Sequence, residues 1–68
     1  MLKDHNHDLV HQLSETSDSI WRMEEYLKNA DGCESCQALW NEIKNDCEKH
    51  AELLKGEIAR HVSENRFE

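Results

Sequence analysis

Read at alternating steps of four and three, the second half of the chain yields one line of residues: Cys36, Trp40, Ile43, Cys47, His50, Leu54, Glu57 and His61. That spacing places them on a single helical stripe. Its upper part is an apolar seam, but from Cys47 downward it carries a thiol, two imidazoles and a carboxylate where a core normally takes Leu or Ile. Such groups on an inward face imply a metal site, a buried hydrogen-bond network, or a wetter stripe than the periodicity suggests. In the first half, His7, His11 and Glu15 follow one another at four-residue steps, and Glu57 with His61 repeats that interval. Imidazoles spaced this way on a helix can chelate zinc, copper or nickel. A third cluster, Cys33-Glu34-Ser35-Cys36, opens a helix, where unpaired amides and the helix dipole favour thiolate and hence dithiol redox chemistry.

These residues need elements to hold them, and the composition points to helices. The 68 residues include no proline and two glycines, and 34% are charged, which favours helix nearly throughout. The one break is Asn29-Ala30-Asp31-Gly32, where turn formers cluster and Gly32 suits the left-handed position after a helix end. The expected architecture is therefore all-α: a single domain over 1–68 with a helix at about 7–30, a turn at about 31–34 and a helix at about 35–62. Asn6 or Asp8 can cap the first helix; Asp31 or Ser35 can cap the second, with Glu34 completing a capping box from Asp31. The first helix carries Val10, Leu13, Ile20 and Leu27 on its apolar face, with Thr16 or Ser17 between. The polar tail, 63–68, is expected to fray.

A short turn makes the two helices antiparallel, each on the order of 37 Å long. With the turn near Asp31 and Gly32, residues at equal height have numbers summing to about 64. Glu15, Cys47 and His50 then form a middle layer, and His7, His11, Glu57 and His61 a lower one. One hairpin has no closed core, so the economical arrangement is a homodimer, or a higher oligomer, that completes a four-helix bundle.

A carboxylate on one helix, followed on the next by a carboxylate and a histidine three residues apart, is the ligand pattern of the ferritin-like proteins. The chain resembles half of such a bundle over residues 9–60, in the manner of rubrerythrin and the encapsulated ferritins. In this resemblance Glu15 is the first-helix ligand, and Cys47-Glu48-Lys49-His50 stands where the family has Glu-x-x-His, followed by Ala51-Glu52-Leu53-Leu54. Cys47 occupies the place of the bridging glutamate, which favours zinc or a softer mononuclear site over the family's oxygen-rich iron chemistry. The resemblance implies a metal-binding protein, with iron handling as its family role and iron or zinc as cofactor. Glu15, His50 and Cys47 are the first-choice ligands, and His7, His11, Glu57 and His61 the second.

Two other readings rest on the residues alone. The hairpin can be a metal-free interaction module whose polar stripe sets register, or a dithiol redox protein using Cys33 and Cys36. Fifteen acidic against eight basic residues give a net charge of −7, which repels nucleic acid and anionic lipid. No apolar run approaches the roughly 20 residues of a membrane span, and residues 1–11 are too polar for a signal peptide's apolar region; a cytoplasmic location is expected. There is no glycine-rich phosphate loop and no nucleophile elbow, so enzymatic activity would have to come from bound metal.

Overall fold

A computed structural model describes residues 3–68. The chain forms two helices, α1 (Asp4–Asn29) and α2 (Glu34–Ser63), packed side by side as a hairpin. Its dimensions, 49 × 18 × 12 Å, are those of one layer of two helices. No described helix is long and apolar enough to cross a membrane.

The turn forms as its residues dictate. The Ala30 N–H returns to the Tyr26 carbonyl at 3.0 Å and that of Asp31 to Lys28 at 3.3 Å. Gly32 then adopts φ +86°, the left-handed conformation that costs glycine least. The Cys33 N–H closes onto the Ala30 carbonyl at 2.9 Å. Cys33, rather than Asp31 or Ser35, caps α2: its Sγ accepts the Cys36 N–H at 3.4 Å.

The other end departs further from expectation. α1 begins at Asp4, ahead of both proposed caps, with Lys3 in the N-cap position making no side-chain cap bond. Its backbone N–H donates instead to the Glu68 carbonyl at 2.5 Å. Beyond the end of α2, Asn65 is left-handed at φ 58°, with the Arg66 N–H bonded to the His61 carbonyl at 2.7 Å; asparagine is among the few side chains that take this conformation readily. The tail therefore folds back across the start of α1 instead of fraying. Asn6 Nδ2 donates to the carbonyls of Arg66 and Glu68 at 2.8 and 3.0 Å.

The seam follows Leu9, Leu13, Thr16, Ile20, Met23 and Leu27 on α1 against Ile43, Cys47, Ala51, Leu54, Ile58 and His61 on α2. Tyr26 and Trp40 pack with ring centroids 5.0 Å apart near the turn. Asn6 meets His61, and Tyr26 meets Trp40, so facing residue numbers sum to 66–67, not 64. The α2 seam also passes from Cys47 through Ala51 to Leu54, leaving His50 exposed on its flank. Ala51 and Thr16 are small, buried and level in this register, which lets the helices approach closely at mid-length; an imidazole in that place would hold them apart.

This seam does not close a core. Among the described residues, Met23 and Ala51 are the buried hydrophobic ones, while Trp21 is 80% and Leu53 72% exposed, with Val10, Leu39 and Val62 also open to solvent. The accessible surface is 5130 Å², above the roughly 4,500 Å² of a compact monomer of this mass.

Candidate functional site

Three places along the hairpin gather chemically competent side chains. The first is an open groove of about 310 Å³ at mid-length, lined by Gln12, Thr16, His50, Leu53, Leu54 and Glu57. The buried Thr16 hydroxyl accepts from Gln12 Nε2 at 3.1 Å, one turn earlier on α1. His50 reaches the groove because it precedes the seam residue Ala51 by one position, which turns it onto the flank. Leu53, three residues on, shares that flank.

The second lies at the open end. Asn6 is 0% exposed. With both of its amide hydrogens committed to tail carbonyls, its Oδ1 is left as an acceptor facing His61 Nδ1 at 2.7 Å. The other ring nitrogen of His61 lies 2.9 Å from Glu57 Oε2. Both nitrogens thus face acceptor oxygens, and the ring donates to both at once only when doubly protonated. Arg60 grips Glu57 with two bonds, Nε to Oε1 at 3.1 Å and a terminal nitrogen to Oε2 at 2.5 Å. The hydrogen bonds and charge of Arg60, seconded by His61, hold the Glu57 carboxyl below its ordinary value. The same pairing raises the Arg60 guanidinium. His5 stacks edge-on to His61 with centroids 5.4 Å apart.

The third is the start of α2. Cys33 is half-buried and Cys36 exposed, both as free thiols. The Cys36 thiol beside it, then the Ser35 hydroxyl and the Cys36 N–H, lower Cys33 to about 7. Cys36 is raised in turn by its bond to Cys33 and by that neighbour's charge. The Ser35 Oγ stands 3.5 Å from Cys33 Sγ.

The proposed layers are only partly assembled. His11 Nε2 and Glu15 Oε1 pair at 3.6 Å on the exposed side of α1, and the rings of His7 and His11 stack with centroids 5.9 Å apart. Glu57 and His61 meet, while Cys47 lies half-buried in the seam. Among the described residues, no three His, Cys, Asp or Glu side chains form a group that could hold a metal ion. One chain therefore gathers neither Glu15, Cys47 and His50 nor the full set of His7, His11, Glu57 and His61. The direction of the side chains explains the first: Glu15 turns away from the seam toward His11, His50 lies exposed on the flank of α2, and only Cys47 lies in the seam.

Sequence reasoning missed Asn6 as a structural residue, treating it as a possible cap. The signal was present: Asn6, Leu9, Leu13, Thr16, Ile20, Met23 and Leu27 step by threes and fours, so Asn6 continues the apolar seam. Arg60 gave no comparable signal, since an i, i+3 pair with Glu57 looks like any surface ion pair. No family model, curated protein or solved structure matches the chain.

Proposed function

We propose that this chain is a homodimerising helical hairpin, half of a four-helix bundle, and that its two copies share a metal site at the His50 face. The supporting observation is the groove itself: a ligand-type imidazole and a carboxylate, His50 and Glu57, border an apolar strip that one hairpin leaves uncovered. A second copy is the occupant best matched to it. Burying the exposed Leu53 and the open part of Leu39 against their counterparts contributes up to about 1.5–3 kcal/mol per side chain, beside a groove whose lining carboxylate is already paired with Arg60. A two-fold axis through the groove gives two imidazoles and two carboxylates, a nitrogen and oxygen donor set suited to zinc or iron. Glu57 would then exchange Arg60 for metal, linking metal binding to assembly.

A metal-free interaction module is the second reading, favoured by the complete set of partners that Glu57 and His61 already have. Native mass spectrometry of tag-free protein offered zinc or anaerobic iron(II) separates the two. The metal reading expects one or two ions per dimer, lost in His50→Ala while the dimer persists. A dimer that takes up neither metal overturns it and leaves the interaction module.

A further inference from the structure

The dithiol at the turn lies apart from the His50 groove, and its chemistry does not depend on whether two hairpins pair. Cys33 and Cys36 occupy the N-cap and third positions of α2, with the Cys33 sulfur drawn over the first turn to the Cys36 N–H at 3.4 Å. Residues three apart on a helix have Cα atoms about 5 Å apart, inside the span a disulfide bridges. Both thiols are free, Cys33 half-buried and Cys36 exposed beside the turn.

We propose that Cys33 and Cys36 form a reversible dithiol–disulfide couple that exchanges with low-molecular-weight disulfides, Cys33 attacking and Cys36 resolving. The Cys33 thiolate attacks one sulfur of the external disulfide RS–SR, forming a Cys33–SR mixed disulfide and releasing one thiolate, RS⁻. Cys36 then loses its proton and attacks the Cys33 sulfur, closing the Cys33–Cys36 bond and releasing the second RS⁻. The protein gives up two electrons and two protons, and the external disulfide is reduced to two thiols. The asymmetry of the pair fits these roles: the half-buried thiol has the hydrogen bonds of the helix end, and the exposed one is free to turn onto it. Cys47, in the seam without these partners, takes no part.

The test is oxidation of the full chain by graded mixtures of oxidised and reduced glutathione at pH 7, followed by acid quench, alkylation and mass mapping. The expected product is two hydrogens lighter, with Cys33 and Cys36 protected together and Cys47 alkylated, and its fraction follows a single two-electron midpoint. Cys36→Ser should stop at a glutathione adduct on Cys33. In Cys33→Ser, which retains a side-chain oxygen at the N-cap, adduct formation on Cys36 should be slower than on Cys33 in Cys36→Ser. In the parent chain Cys33 should react on the order of fivefold faster than an ordinary thiol at pH 7, since its larger thiolate fraction outweighs its lower intrinsic nucleophilicity, and this margin narrows in Cys36→Ser, which removes the Cys36 thiol. Equal reaction at all three cysteines, intermolecular disulfides alone, or adducts on Cys33 that Cys36 never resolves would each overturn the proposal. Helical circular dichroism of both variants confirms that the rates belong to folded protein.

Discussion

At the scale of single residues, the best-defined chemistry is at the open end, where Asn6 joins three segments of chain. Its amide holds the two tail carbonyls and its oxygen faces the ring of His61. Asn6→Ala leaves those groups without their partner in a part-buried site, so unfolding in urea should show a loss of about 1–3 kcal/mol. Amide exchange in residues 64–68 should rise with it. Glu57 supplies a pH dependence with a definite sign. Its folded value is lowered, principally by Arg60, from an ordinary 4.5. Its stabilising contribution is therefore complete above 4.5 and disappears as pH falls through the lowered value. The thermal midpoint of Glu57→Gln should lie below that of the parent at neutral pH, and the gap should close in acid. At the other end Cys33, lowered to about 7 against 9.0 for a free thiol, chiefly by the Cys36 thiol, should be alkylated in the parent chain with a pH midpoint below that of an ordinary thiol, and the midpoint should rise when Cys36→Ala removes that partner.

At the scale of elements, the hairpin was legible because its signals were local. Absent proline, a cluster of turn formers and a glycine at the turn suffice to divide the chain into two helices. Gly32 and Gly56 make a paired prediction from this. Gly32 needs φ +86°, so Gly32→Ala should lower stability by roughly 1 kcal/mol. Gly56 sits in mid-helix with open space around its Cβ position, and Gly56→Ala should raise stability by about 0.5–1 kcal/mol. Chemical denaturation of the two variants should shift in opposite directions. What the sequence left ambiguous was which of two heptad lines on α2 faces α1. Both contain Cys47, Leu54 and His61, and they differ in choosing His50 with Glu57 or Ala51 with Ile58. Packing decides: the smaller Ala51 lets the helices meet, and two to three units of register move with the turn geometry. With Ala51 in the seam, His50 lies on the flank and Glu15 faces solvent beside His11, so the proposed middle layer of Glu15, Cys47 and His50 does not assemble in one chain. The tail was misjudged for a related reason. Its anchors are backbone carbonyls, and they meet Asn6 only through a contact some sixty residues away in sequence, as at Asn6–Arg66.

At the scale of the whole molecule, the deciding fact is how little one hairpin covers. Two buried hydrophobic residues and a single layer of helices are a small return for ordering 66 described residues, and chains of this size usually need a partner, metal or staple. The uncovered side chains fall on separate lines. Leu39, His50 and Leu53 share one flank of α2, and Val10 and Trp21, eleven residues apart, share a flank of α1. Pairing through the first flank leaves the second free to extend the assembly or receive another protein. The net charge of −7 opposes self-association, so the dimer should tighten as salt screens it. Sedimentation equilibrium of tag-free protein, run beside Leu53→Glu, tests the central claim most directly. The account predicts a mass of twice the 8.0 kDa chain for the parent and a shift toward the single-chain mass for the variant, because Leu53→Glu places two carboxylates in the shared face. A parent that sediments as a monomer at all concentrations, or a Leu53→Glu variant that pairs as tightly as the parent, would contradict it.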